Sequence, residues 1–341
     1  MAPPNMFEAD IDQEPAALRA FASARLPGEL GQLDLDGYDR IVLTGMGASH
    51  FAARHSWLSL ISEGRPAWWV STAELLGAPE LLSGRVLVWA TSQSGESGEV
   101  VALLERGRTS RTATLLATTN VPTSTLGRAA DVVVALAFGE EAAVSTKSYI
   151  STLAAHYRAL NALRHGDDAP AVERIAAVAD QLEGFRPDLG AFAARALGLP
   201  SQRFAFIGTT ATLENALIGA LLSKEVAKLP AEGYLAGEFR HGPIELAGPG
   251  LVAVVFGTGT DDKSLSGLAL ELVRSEALLL PVDTATAVPL SSWAVATGAP
   301  DGLGRSACGA KLAQLLAGKL ARARGIEPGE FRFGQKVTAS I

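Results

Sequence analysis

The sequence predicts an α/β protein made of two parallel-sheet units, and three observations carry that expectation. Apolar, β-branched strands alternate with amphipathic helices along the chain, the order that yields parallel sheets covered by helices on both faces. Two early strands empty directly into glycine- and hydroxyl-rich turns that open helices, at 40–50 and 86–101. Finally, 202–211 repeats 39–48 in form (a basic residue, apolar-leaning residues, glycine, then a turn into a helix) at an offset of about 163 residues. An offset that long marks duplication of a whole domain rather than a solenoid, whose period runs roughly 20–50 residues.

Composition agrees. At ~150 residues per domain, 341 residues make about two domains with room for a substantial core. A 48% hydrophobic and 19% charged chain is compact and well covered. The net charge of −7 leaves no basic stripe to displace counterions, so no nucleic-acid partner is expected. With a single cysteine, Cys308, there is no intramolecular disulfide and no cysteine-based metal site, and the cytoplasm is the expected location. The first ten residues are acidic and lack the apolar core of a signal peptide. No membrane partner is expected either, because no apolar run approaches ~20 residues and the most apolar stretch, 211–222, is broken by Glu214 and Asn215.

In order, 1–32 carry a helical pattern (Ala16, Leu18, Phe21, Ala22) and read as an N-terminal arm. The first sheet unit spans 33–165. A strand ends in Gly45-Met46-Gly47-Ala48-Ser49-His50 and a helix follows over 51–61; the glycine spacing is not G-x-G-x-x-G and no acidic residue closes a following strand, so no dinucleotide is expected. Next come a short strand at 67–70, a helix over 72–82, the strand from Val86, a helix, and strands at 112–118 and 131–136. A long helix runs to about 163; Ser145 is its candidate cap, and Lys147 is open to an anion or simply solvated. Residues 166–200, with helices over 170–182 and 188–197, form a helical linker. The second unit, 201–325, has a helix reaching 229, strands at 251–256 and 277–281, and helices over 263–275 and 306–324. Residues 326–341 are a tail.

The most informative stretch is Thr91-Ser92-Gln93-Ser94-Gly95-Glu96-Ser97, between a buried strand and a helix beginning near Val100. Free backbone N–H groups at that helix start, the macrodipole and the hydroxyls of Ser92, Ser94 and Ser97 suit an anion, most naturally a phosphate. A plain capped βα turn uses the same residue types, so the local pattern leaves both readings open. The corresponding turn of the second unit, Gly257-Thr258-Gly259-Thr260-Asp261-Asp262-Lys263, carries two aspartates that repel phosphate, which assigns any phosphate to the first unit.

Farther along, Glu214 and Glu225 lie eleven residues apart, close to three helical turns, and so share a helix face. Partial burial of Glu225 would raise its carboxyl toward a useful general base, whereas an exposed Lys224–Glu225 surface is the plain alternative. Gly237-Glu238-Phe239-Arg240-His241-Gly242-Pro243 sets a histidine among turn residues beside a glutamate and an arginine, suited to proton exchange at a cleft edge or simply a loop histidine. The other four histidines, His50, His55, His156 and His165, have neither the spacing nor the carboxylate company of a metal site, and no metal or other cofactor is expected.

Together with Ser145-Thr146-Lys147 and Lys336-Val337-Thr338, these motifs resemble the double sugar-isomerase (SIS) domain proteins, over about Phe7 to the end of the chain and in the same order. That family includes the isomerase half of glucosamine-6-phosphate synthase, SIS-type glucosamine-6-phosphate deaminases and deglycases of phosphorylated Amadori compounds. The resemblance implies two SIS domains, each a flavodoxin-like three-layer sandwich. It implies that Ser49, Ser92, Gln93, Ser94 and Ser97 hold a sugar 6-phosphate, with Ser145 near the sugar hydroxyls and Lys336 in a tail that closes over the sugar. It also implies that Glu225 moves a proton between C1 and C2, and that His241 opens the ring from the neighbouring subunit of a homodimer. Leu222 stands where the synthase has a lysine one turn before the base, the synthase's tail lysine falls at Gln335, and no glutamine-hydrolysing domain with an N-terminal cysteine is expected. These departures favour deamination or deglycation of an amino-sugar or Amadori 6-phosphate; the alternatives are a simple aldose–ketose isomerase and a non-catalytic phosphosugar-binding regulator.

Overall fold

The structure is a computed structural model that describes residues 5–107, 113–142, 144–260, 262–285 and 291–338. Thr112 and Asp261, which enter the expectations above, lie outside the described residues, as do 1–4 of the expected arm and 339–341 of the expected tail. The chain divides into two compact units. One comprises Gln13–Asp180 and the chain from Arg332 on; the other comprises the chain up to Asp12 and Gln181–Phe331.

Helix α1 (Met6–Asp12) and α2 (Glu14–Ser23) therefore fall in different units, although the sequence reads them as one arm. α2 packs beside α7 (Lys147–His165), where buried Arg158 donates to the carbonyls of Phe21 and Ala24 at 2.7 and 2.8 Å. In the other unit, Glu8 of α1 pairs with Arg322 at 2.8 Å and Phe7 is fully buried.

The first unit is built on β1 (Arg40–Gly45), α3 (Gly47–Ser62), β2 (Ala67–Trp69), α4 (Thr72–Leu76), β3 (Val86–Thr91), α5 (Gly98–Gly107), β4 (Ala113–Thr119), α6 (Thr125–Ala129) and β5 (Val132–Ala135). The strands are all parallel, in the order β2-β1-β3-β4-β5, which is the flavodoxin-like order. All six residues of β3 are buried, as a central strand covered on both faces requires. One face packs Val42, Val86 and Val88 against Leu75, Leu82 and Leu103; on the other, α3 lies beside α7. The helix expected over 72–82 stops at Leu76, because Gly77 and Pro79 redirect the chain into a 3₁₀ turn at Pro79–Leu82.

α8 (Ala169–Gly184) and α9 (Gly190–Leu197) lead to β6 (Arg203–Gly208), α10 (Leu213–Glu225), β7 (Ala231–Leu235), α11 (Ala236–Arg240), β8 (Leu251–Phe256), α12 (Lys263–Arg274), β9 (Leu278–Val282) and α13 (Gly302–Ala323). The second sheet is parallel in the order β7-β6-β8-β9, reproducing β2-β1-β3-β4 of the first. Strand β7 and α11 were not expected. β7 is an edge strand containing Glu232 and Gly233, residues that strands disfavour, so no apolar run announces it. α10 ends at Glu225 rather than at 229, and Lys228 adopts a left-handed φ of 54°. Among the described residues no helix is long and apolar enough to cross a membrane.

Candidate functional site

In the first sheet, β1 leads through α3 to β2 on one side, whereas β3 leads through α5 to β4 on the other. The chain order therefore reverses between β1 and β3, and their carboxyl ends form the switch point at which α/β sheets characteristically bind ligands. Gly45 and Thr91 are register partners at that point. A Cβ on Gly45 would lie 2.7 Å from the Thr91 carbonyl oxygen, so only glycine lets the turn into α3, whose first residues include Ser49, run so close to the start of the Ser92–Ser97 loop. The two glycine- and serine-rich turns thus share one edge of one sheet.

The Ser92–Ser97 loop is held from several sides. Ser92, 3% exposed, accepts the Gly95 N–H on Oγ at 3.1 Å, and its hydroxyl lies 3.2 Å from that of Ser97. The Gln93 carbonyl accepts the Asn120 N–H at 3.0 Å, and Ser94 Oγ accepts the Glu96 N–H at 3.2 Å. Gly95 has φ +66° and its missing Cβ would lie 1.9 Å from Ser124 Oγ. The one acidic residue in the loop, Glu96, accepts the Thr125 N–H at 2.6 Å and the Thr125 hydroxyl at 2.8 Å. Those hydrogen bonds hold its carboxyl below the usual range, so its negative charge is spent at the start of α6. The hydroxyls of Ser92, Ser94 and Ser97 are the loop's remaining polar side chains beside Gln93, an arrangement suited to an anion. The N–H of Gly98, the first residue of α5, is taken by the Thr338 carbonyl at 3.0 Å.

Ser145 sits just before α7, its hydroxyl 2.7 Å from that of Ser148. It does not cap the helix. Glu141 fills that role: its Oε1 accepts the N–H groups of Thr146 and Ser148 and the Thr146 hydroxyl, each at 2.9 Å. Its Oε2 accepts from Lys336 Nζ at 2.6 Å. Lys147 is neither solvated nor offered to a ligand; it is 3% exposed and donates to Gln13 Oε1 at 2.6 Å. Tail residues Lys336 and Thr338 thereby touch the elements carrying Ser145 and the serine loop, while Phe333 is fully exposed.

Behind the loop, Thr91 Oγ1 lies 2.9 Å from His156 Nε2 on α7, and the His156 ring stacks on Trp89 at 4.4 Å. His156 is completely buried, and desolvation pushes its pKa down to about 3; burial likewise lowers His50, stacked on Trp69, to about 4. The unfolded chain binds protons at these sites near pH 6.5 while the folded chain stays neutral, so stability rises with pH between those values and is lost on acidification. Each group contributes about 1.4 kcal/mol per pH unit within its window. We therefore expect urea stability to fall as pH drops from 6.5 to 5, above the carboxylate range, and His156→Gln to flatten that slope. An unchanged slope would show that His156 is already protonated in the fold.

The other two expected site residues belong to the second unit. Glu225, half-buried, is the last residue of α10, and its carbonyl accepts from Lys228 Nζ. Lys224 is exposed and Leu222 fully buried, so the helix turn before Glu225 presents hydrocarbon to the core. Glu214, on the same helix, is 1% exposed and accepts from the Ser306 hydroxyl at 2.8 Å, a packing role. His241 is exposed at the end of α11, its N–H bonded to the Glu238 carbonyl at 3.0 Å, and neighbouring Arg240 pairs with Glu271 at 2.8 Å. In the turn corresponding to the serine loop, Asp262 caps α12 by accepting the Leu265 N–H at 3.0 Å. Sequence reasoning missed Glu141; its signal, an acidic residue a few positions ahead of a Ser-Thr-Lys helix start, was present but carried no indication of burial.

Comparison with known proteins bears on the whole chain. Residues 35–162 match the family model described as SIS domain, which covers the first sheet and most of α7. The glutamine–fructose-6-phosphate aminotransferase (isomerizing) of Shouchella clausii is 32% identical over 271 residues, covering 73% of this chain and 44% of that protein. The enzyme of the same name from Gloeobacter violaceus is 30% identical over 301 residues, 82% of this chain and 49% of that protein. The chain thus spans about half the length of the curated relatives it matches. Among solved structures, the C-terminal domain of glucosamine-fructose-6-phosphate aminotransferase from Francisella tularensis superposes with a TM-score of 0.81 at 19% identity, covering 96% of this chain and 99% of that one. Glucosamine-6-phosphate deaminase from Thermotoga maritima gives 0.77 at 21% identity, covering 98% and 99%. These structures establish likeness of fold. Through residues 35–162 the chain belongs to the SIS-domain family.

Proposed function

We propose that the protein is a phosphosugar isomerase of the SIS type that acts on an amino-sugar 6-phosphate or an Amadori 6-phosphate, with release of ammonia or an amine. The observation that supports this reading is the Ser92–Ser97 loop at the switch point between β1 and β3, which gathers the hydroxyls of Ser92, Ser94 and Ser97 while its one carboxylate, Glu96, is bound to Thr125. Ser49, Ser92, Gln93, Ser94 and Ser97 take the phosphate, and Ser145 takes a sugar hydroxyl. The second sheet, with the strand order of the first sheet's opening four, acts as a second SIS domain and supplies the chemistry. His241, reaching the site from a second copy in a homodimer, protonates the ring oxygen and opens the sugar. Glu225 takes the proton from C2 of the 2-amino aldehyde and returns it at C1, while the aldehyde oxygen gains the proton that the nitrogen gives up, so the C2 amine becomes an imine and C1 a hydroxymethyl group; water then converts the imine to ketose and ammonia. An Amadori substrate runs the same C1–C2 proton transfer from the ketose side. No step requires a metal or a nucleotide.

A panel of hexose, 2-amino-hexose and amino-acid-linked ketose 6-phosphates tests the reading, following ketose or aldose together with released ammonia or amine. We expect turnover of a nitrogen-bearing 6-phosphate and none of its unphosphorylated counterpart. Binding without turnover across the panel would identify a phosphosugar sensor, and turnover confined to nitrogen-free sugars would identify a simple aldose–ketose isomerase.

A further inference from the structure

The tail lysine and the Ser145 turn meet at a single buried carboxylate. The Glu141 side chain has no exposed surface. Its Oε1 accepts three donors from the start of α7, and its Oε2 accepts the Lys336 ammonium at 2.6 Å. Two residues farther on, the Thr338 carbonyl accepts the N–H of Gly98, the first residue of the helix after the serine loop. The tail is therefore fastened at two points, one on the element carrying Ser145 and one on the element carrying the Ser92–Ser97 loop. Between Arg332 and Lys336 it lies exposed, with Phe333 fully in solvent, so apolar burial does not hold that part.

We propose that Glu141 is a positioning residue: it binds the Ser145 turn through one oxygen and the tail through the other, so that seating the tail and ordering the turn are one event, with Lys336 acting through Glu141 rather than on the substrate. A carboxylate taken out of water needs donors on both oxygens. Helix N–H groups and the dipole of α7 satisfy one, and the lysine supplies both a donor and a compensating charge for the other. Without Lys336 the carboxylate keeps only its helix partners and the tail loses its charged anchor. Without Glu141 the ammonium and the start of α7 lose their common partner. The consequence for sugar binding rests on the function proposed above; the coupling itself does not.

A double-mutant cycle read by chymotryptic cleavage at Phe333 tests the coupling without any substrate. Lys336→Met and Glu141→Gln should each speed cleavage about tenfold, roughly what one charge-assisted hydrogen bond is worth. The double variant should be no faster than Lys336→Met, and Lys336→Arg should restore the slow rate. Lys336→Met leaves α7 untouched, so it remains informative if Glu141→Gln fails to fold. Unchanged cleavage in Lys336→Met, or rates that multiply in the double variant, overturns the proposal. For a substrate turned over in the panel, Lys336→Met should lower kcat/KM and Lys336→Arg should recover it. A coupled cycle in a protein that turns over no phosphosugar would remove the proposed function and leave the fastening intact.

Discussion

Gly95→Ala is expected to destabilise the first unit by about 3 kcal/mol, the upper end of ordinary single-residue effects, and, on the function proposed above, to abolish phosphate binding at the serine loop. Two costs combine. The residue sits at φ +66°, where a side chain costs roughly 1–2 kcal/mol. The new Cβ would also lie 1.9 Å from Ser124 Oγ and 2.6 Å from Ser124 Cβ. Rotating Ser124 relieves only the first contact, and it breaks the cap that Ser124 Oγ gives the Gly127 N–H at 3.2 Å, worth about 1 kcal/mol. The Cβ contact survives rotation, so the loop backbone must move, carrying Ser92, Ser94 and Ser97 with it. Urea unfolding and calorimetric titration with inorganic phosphate measure the two effects. Ser124→Gly introduced with Gly95→Ala should recover part of the stability; an unperturbed midpoint in Gly95→Ala alone would mean that the loop accommodates a side chain.

What the sequence discloses about this fold is whatever its neighbours along the chain determine. The buried strand Val86–Thr91 and its serine-rich exit are legible because apolar run, turn chemistry and helix start lie within about sixteen consecutive residues. The repeat of form is legible for the same reason, as two strand–glycine–helix passages in similar dress, and the second sheet has the strand order of the first sheet's opening four. What stays hidden is set by partners far away in sequence. Lys147 reads as a solvated or ligand-facing lysine until Gln13, 134 residues away, is seen to take its proton donor. Glu141 reads as one of two surface glutamates until Lys336, 195 residues on, closes on it. The need for glycine at 95 is visible locally only as a turn preference, because Ser124, at the start of α6 after the neighbouring strand β4, imposes the stricter demand. β7 escapes notice because an edge strand gains its pairing from Phe204–Gly208 rather than from its own apolar content. Long-range polar pairing is what a linear pattern omits, and in this protein it fixes the shape of the Ser92–Ser97 loop and of the Ser145 turn.

On the function proposed above, Glu225→Gln should lower turnover by about 10²- to 10⁴-fold, the usual contribution of a positioned general base. Glutamine keeps the size and hydrogen-bonding capacity of the side chain at the end of α10 but cannot take a proton from carbon. The substrate's phosphate grip belongs to the serine loop of the first unit, so binding of the 6-phosphosugar should survive the substitution, and the loss should appear in kcat rather than in affinity. Exchange of the C2 hydrogen with deuterium from solvent should vanish together with turnover, because both need the same proton transfer. Leu222, fully buried one helical turn earlier, leaves no cation there to hold the enediol-type intermediate, which places more of the burden on the carboxylate itself. His241→Asn separates ring opening from that step: it should slow turnover of the cyclic sugar while leaving deuterium exchange into an open-chain analogue nearly intact. If Glu225→Gln turns over substrate at the unsubstituted rate, the base lies elsewhere, and if exchange persists while product formation stops, Glu225 acts on the nitrogen rather than on carbon.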